Sequence, residues 1–569
     1  RIFWMVLSMV QHRALPFTHW VCNPGTAAPR PCFRDYRRKK KNYWQSSRNF
    51  VKCTGSQIKQ PETGSSELKP RFATSSKNHA EVSTVKKNSS ITFPKGQIML
   101  LILLLAIGSV TIIVQGSVIF NTILLFFTIT IIGFILCLRL QDRLNDPKLK
   151  ILGYFWLLKL CITLILLFIG WMPLLDPSSA NWGYDPQRYY YQAQELTENH
   201  WIFIGGLNYL GILYYYGAIF FIFGHNPIIP ALFNSFVTLL ATLYVISFAY
   251  EINPYRQTRD WTIAWALLLP EILWFDVMTS RETLLGALLI IVFVTFGRLI
   301  IRSKQISIAK YIFILSLTLL IIAAVRTSML LPVIGSIILL FLLKKTKQYI
   351  RFYQLIAFGI IFFVIFSMNN TFTTFIGGDA FDVGKAINSS LSTKDNIVTL
   401  GSENMEYSKN SISQILLPEG LFQSIIFMPP RMILYLLAPL PNISVSFIEL
   451  IDGNWPAWQK LLTILSSIIN IFAMPYILAA TIQAIRTRKE NIASLTLIIP
   501  FWLTFIAIAG GNLIIHERYR VMAALFLWAC AWLGARSCSR ALIKKTTYFW
   551  NGLLFSGALF YISYKFIFA

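Results

Sequence analysis

The sequence predicts an all-α, polytopic membrane protein with about thirteen spanning helices, an outer surface helix and outer loops, and three observations predict it. Hydrophobic residues make up 55% of the chain and charged ones only 13%, against roughly 25% charged in an ordinary soluble domain. Apolar runs of about 20 residues recur, each long enough to cross the roughly 30 Å hydrocarbon layer as a helix; Ile98–Gln115 and Leu152–Trp171 are two of them. The short alternating segments that would mark a membrane barrel do not occur.

The elements follow in order once charge is used to fix sidedness. Residues 1–97 hold eighteen Lys or Arg against four Asp or Glu, so about half of the formal +26 precedes the first span. The block Arg37-Arg38-Lys39-Lys40-Lys41 suits anionic lipid or nucleic acid, but it reads better as a solvated cytoplasmic tail obeying the positive-inside rule. No nucleic-acid partner and no catalytic role are assigned to it. Its irregular composition predicts a disordered tail or an upstream start, with Met99 the candidate initiator. Seven scattered cysteines suggest neither a disulfide framework nor a metal site.

With the tail inside, span 1 (98–116) runs outward and span 2 (118–138) returns, delivering Arg139, Arg143, Lys148 and Lys150 to the cytoplasm. Span 3 (151–172) exits, and its Lys159 is expected to snorkel inward along its own stem. The next two apolar stretches cannot both cross without turning every later basic loop outward. The Gly- and Tyr-rich 202–223 is therefore predicted to lie along the outer interface. Span 4 (228–248) returns, span 5 (261–275) exits and span 6 (283–300) comes back to Arg298 and Arg302. Spans 7 (311–325) and 8 (329–343) form a hairpin with Arg326 at its outer turn, and span 9 (352–368) exits to a polar segment, 369–419. The stretch 421–440 is expected to be broken by Pro429 and Pro430 and carries Arg431, which argues for a surface or re-entrant position. Spans 10 (460–484), 11 (492–509), 12 (521–534) and 13 (547–567) complete the chain. The organisation is a tail (1–97), an N-terminal membrane domain (98–368) with an outer loop at 173–227, an outer region (369–459) and C-terminal helices (460–569).

Three outer clusters carry residues suited to chemistry. In Asn181-Trp-Gly-Tyr-Asp185-Pro-Gln-Arg188-Tyr189, a carboxylate at the membrane surface is placed either as a general base or as the cap of a helix starting near Pro186. Where spans 5 and 6 meet, Glu271, Asp276, Arg281 and Glu282 either border a polar site or lock two helices together. In His516-Glu517-Arg518-Tyr519-Arg520, the arginines either clamp a phosphate through paired N–H donors or anchor the chain at the interface, and Arg326 and Arg431 are weaker candidates for the same task.

In their order along the chain, three stretches resemble the C-type glycosyltransferase superfamily, in particular glycosyltransferase family 39 and its protein-mannosyltransferase-like members. They are Tyr184-Asp185-Pro-Gln-Arg188-Tyr189-Tyr190, then Tyr209–Tyr250, then Ala264–Glu282 taken with Glu517–Arg520. The chain departs from the family in having two spans before the aspartate loop where one is usual, and in lacking its paired acidic motif. The resemblance implies a polyprenyl- or dolichyl-phosphate sugar donor, an extracytoplasmic site and Asp185 as the base. It implies Glu282 or Arg281 as a neighbouring site group, and the substrate site is expected to draw on these and on Arg188, Tyr189, Asp276, Arg326, Glu517, Arg518 and Arg520. The expected partners are a lipid-linked sugar donor, a glycan, lipid or protein acceptor, and membrane lipids; no cofactor is predicted, although some relatives in the superfamily use a divalent metal. The alternatives are an O-antigen-type polysaccharide polymerase or ligase, for which 369–419 would be the large outer loop, and a transporter.

Overall fold

The computed structural model describes residues 119–168, 185–199, 201, 210–252, 261–301, 308–326, 329–343, 421–438, 447–451, 455–487, 492–511 and 517–568. All of them belong to the unit Ser90–Ala569. Spans 1 and 9 of the sequence reading, and the outer segment 369–419, lie outside the described residues.

Among the described residues every regular element is helical. In chain order they are α1 (Ile119–Leu144), α2 (Ile151–Leu166), α3 (Asp185–Glu198), α4 (Leu210–Phe223), α5 (Ile228–Ile252), α6 (Pro270–Asp276), α7 (Arg281–Ile301), α8 (Ile308–Val325), α9 (Leu330–Leu343), α10 (Leu421–Leu437), α11 (Phe447–Ile451), α12 (Trp455–Arg486), α13 (Leu495–Gly511), α14 (Val521–Ser537) and α15 (Arg540–Phe568). Among the described residues six helices are long and apolar enough to cross a membrane: Phe120–Leu144, Pro147–Leu166, Ile228–Ile252, Arg281–Ile301, Ala457–Arg486 and Ile492–Ala509. The protein is therefore a membrane-embedded helical one.

Ion pairs fix the relative direction of these helices. Arg143 near the end of α1, Glu251 near the end of α5 and Arg298 near the end of α7 meet in one network, with Arg298 Nη2 3.0 Å and Arg143 Nη2 3.7 Å from Glu251 Oε1. Beside it Asp146 accepts a hydrogen bond from Tyr250 at 3.0 Å and caps the short 3-10 turn Pro147–Lys150. So α1, α5 and α7 run parallel, and α2 returns between them. The end of α2 and the beginnings of α5 and α7 share the opposite end of the bundle. The intervening α3 and α4 thus make no net crossing.

At about 1.5 Å per residue α4 is roughly 21 Å long, short of the hydrocarbon layer. It contacts α3, the end of α8 and the turn before α7, all at that same end. Its Gly211 is needed there, because a Cβ would lie 2.5 Å from the backbone of Ala324. On the far side of the molecule α12 and α14 pack so closely that a Cβ on Gly534 would overlap the Tyr476 carbonyl.

Three expectations need correction. Span 5 is not one helix. A 3-10 segment, Trp261–Leu268, ends at extended Leu269, and α6 starts afresh at Pro270, because proline supplies no N–H and crowds the preceding turn. The prolines of 421–440 do not interrupt α10, which continues through both with Pro429 on its exposed side. Lys159 does not snorkel: its side chain is fully buried and its Nζ lies 2.5 Å from Asp276 Oδ2.

Candidate functional site

The end of the bundle where α3 and α7 begin gathers charges from segments far apart in sequence. Asp185 opens α3, a helix of low hydrophobicity whose inner face, Pro186, Tyr189, Tyr190 and Ala193, packs inward. Its Oδ2 accepts a hydrogen bond from Arg518 Nη1 at 2.7 Å, and both side chains remain about a quarter exposed, at 28% and 26%. Arg518 comes from the 3-10 turn Glu517–Arg520 that leads into α14. Its Nη2 also donates to the Tyr519 hydroxyl at 2.8 Å. Glu282 sits in the first turn of α7, a favourable place for a negative charge at a helix N-terminus, and is almost wholly buried beside Arg281 at 3.4 Å.

Asp185, Pro186, Tyr189, Phe275, Ser280, Glu282, Gln459 and Arg518 line one cavity of about 20 Å³, room for about one water. Arg326, at the end of α8, adds a further cation. Its guanidinium lies 5.1 Å and that of Arg518 4.8 Å from the centre of the Tyr519 ring, within the range of cation–π attraction. Burial, the charge of Arg281 and more weakly that of Arg518 push the Arg326 guanidinium below its usual range, against the pull of Tyr519 and Glu282. At Arg518 burial pulls the same way, but Glu282, Tyr519 and Asp185 outweigh it, so its pKa is raised. Arg518 stays charged at any accessible pH. The cluster thus brings Arg281, Arg326 and Arg518 together with two carboxylates, Asp185 and Glu282, in a partly dehydrated place.

The other residues singled out from sequence go elsewhere. Asp276 does not face the cavity; it pairs with Lys159 and accepts from Thr238 Oγ1 at 2.8 Å. Two opposite charges in adjacent apolar spans have to find each other in a medium that solvates neither. Arg520 likewise does not line the cavity. It is fully buried, with Nε 2.5 Å from Glu271 Oε2, and Nη1 donates to the carbonyls of Leu436 and Ala438 and to Ser467 Oγ. Nη2 reaches the Thr463 carbonyl at 3.2 Å. It caps the C-terminal end of α10, where carbonyls lack helical partners and a cation is favoured. For Glu271 and Asp276 the helix-locking alternative therefore holds, with Arg520 and Lys159 as the partners. Arg188 is half-buried on α3 and does not line the cavity, Arg281 adjoins it through Glu282, and the Glu517 side chain lies outside the described residues.

Sequence reasoning missed Gln459, Ser280 and Phe275 in the cavity wall and gave Tyr519 no role. A lone glutamine in Trp455-Pro-Ala-Trp-Gln459, at the start of a long apolar helix, was the available signal. Among the described residues no group of three or more His, Cys, Asp or Glu is placed to hold a metal ion. Comparison with protein-family models, curated proteins and solved structures finds no match to this chain.

Proposed function

We propose that this protein is a membrane glycosyltransferase that moves a sugar from a polyprenyl-phosphate carrier to an acceptor on the extracytoplasmic side of a plasma or inner membrane, with Asp185 as general base. The reading takes the whole chain to cross about thirteen times with its N-terminus inside. The observation that carries it is the Asp185–Arg518 pair at the lip of a cavity shared with Glu282 and backed by Arg326 and Tyr519. The basic residues Arg139, Arg143, Lys148 and Lys150 belong to the opposite end, which supports an extracytoplasmic reading of the cavity by the positive-inside rule.

In this mechanism the donor enters from the lipid and its phosphate draws the guanidinium of Arg518, with Arg326 behind it. Asp185 then turns to the acceptor hydroxyl and accepts its proton as the oxygen attacks the anomeric carbon. The bond from that carbon to the phosphate oxygen breaks on the opposite face, configuration inverts, and polyprenyl phosphate departs with the electron pair, its charge held by the arginines. The acceptor is a glycan, lipid or protein bearing a free hydroxyl, and no step requires a metal.

The test is transfer by the purified protein in proteoliposomes supplied with labelled polyprenyl-phosphate hexoses and a panel of hydroxyl acceptors. Addition of single sugars, with release of polyprenyl phosphate, is expected. Growth of a lipid-linked glycan without monosaccharide transfer assigns the site to a polymerase or ligase instead, and no consumption of any donor overturns the proposal.

A further inference from the structure

The turn between α6 and α7, residues 277–280, is irregular backbone in the protein interior, where unpaired carbonyls are costly. Two of its four carbonyls accept hydrogen bonds from two other helices. Asn234 of α5, 1% exposed, donates through Nδ2 to the carbonyl of Met278 at 2.8 Å and lies 3.2 Å from that of Asp276. Tyr216 of α4, fully buried, donates to the Ser280 carbonyl at 2.9 Å, and the amide of Asn234 lies 3.1 Å from the same hydroxyl. Thr238, one turn after Asn234, holds the Asp276 carboxylate that pairs with Lys159. On its other side the turn reaches out: Thr279 Oγ1 donates to the carbonyl of Pro186, the residue after Asp185. Two residues beyond the turn stands Glu282. This short segment is therefore the mechanical link between the two carboxylates that line the cavity.

We propose that Asn234 and Tyr216 are positioning residues, which fix the turn 277–280 and through Thr279 set the separation of Asp185 from Glu282. The inference rests on the reading of those two carboxylates as one site. Neither residue borders the cavity, so each acts through the turn. A small error in such a geometry is expensive, because displacement of about 1 Å at a reacting group costs on the order of a hundredfold in rate.

The experiment is hydrogen exchange by mass spectrometry on the full chain in lipid nanodiscs, with Tyr216→Phe, which keeps the ring and removes one hydroxyl. Amides of 277–284 and of 185–190 are expected to exchange about tenfold faster, while 140–150 and 298–301 at the other end stay as in the parent. Unchanged exchange at 185–190, or a rise of equal size throughout the chain, overturns the proposal. Should Tyr216→Phe not fold, Thr279→Val carries the same test. It accelerates exchange at 185–190 while leaving 277–284 as in the parent, and Thr279→Ser restores it; no effect of Thr279→Val refutes the link. In the transfer assay Tyr216→Phe lowers kcat about a hundredfold with KM nearly unchanged. If the parent protein transfers no sugar while the exchange pattern appears, the glycosyltransfer reading fails and the positioning role stands.

Discussion

Arg518 and Arg520 are two residues apart and have opposite fates. Arg520 is sealed, its Nε on Glu271 and its remaining N–H groups turned to the carbonyls and hydroxyl of α10 and α12. Arg518 keeps a quarter of its side chain exposed, and its Asp185 partner is equally open to the cavity. A charge whose donors are all satisfied in the interior has nothing left to offer a ligand. One held by Asp185 and Tyr519 at an open lip can exchange its carboxylate partner for a phosphate. The difference is one of exposure, since both are arginine–carboxylate pairs of similar length.

The comparison is broken most severely at Arg520. Replacing it with methionine leaves Glu271 buried without its partner and frees the carbonyls at the end of α10, so a loss of about 3–5 kcal/mol is expected. Thermal unfolding in detergent reads it, and a melting temperature near that of the parent would show that the pair is dispensable. Next comes Lys159→Met, which strands Asp276 at comparable cost, whereas Lys159→Met combined with Asp276→Leu is far milder, because replacing a whole buried pair by apolar residues is often close to neutral. A double variant as damaged as the single one would mean that Asp276 matters through Thr238 instead of Lys159. The smallest effect belongs to Arg143→Ala, where the side chain is 60% exposed and 3.7 Å from Glu251; the same melts should shift by less than about 1 kcal/mol.

The pairing rules explain which parts of this protein were legible in the sequence. Among the described residues the apolar helices were, because runs of membrane-spanning length are a local property. The short links that turn α1 into α2 and α14 into α15 follow from them. The break at Leu269 was also in plain view, since Pro270 stands in the middle of the run. What a linear reading could not do was sort the charges. Glu271, Asp276, Arg281 and Glu282 fall within twelve residues, yet two of them are locked to Arg520 and Lys159 while the other two adjoin the cavity. That outcome depends on partners 117 to 249 positions away in the chain. Lys159 could have been matched to an acidic residue by asking what neutralises a cation in mid-span. The donors to the turn at 277–280 had no such signature, because Asn234 and Tyr216 read as ordinary polar residues in apolar helices.

The most direct trial of the contrast is to measure turnover and melting on one preparation of Asp185→Asn, which keeps the size of the side chain and removes its charge. A general base contributes about a hundredfold or more to turnover, so on the proposed mechanism transfer from polyprenyl-phosphate hexose should fall by at least that factor while the melting temperature stays close to the parent's. Parental turnover, or a melting loss as large as that of Arg520→Met, would contradict the account and make Asp185–Arg518 one more structural lock.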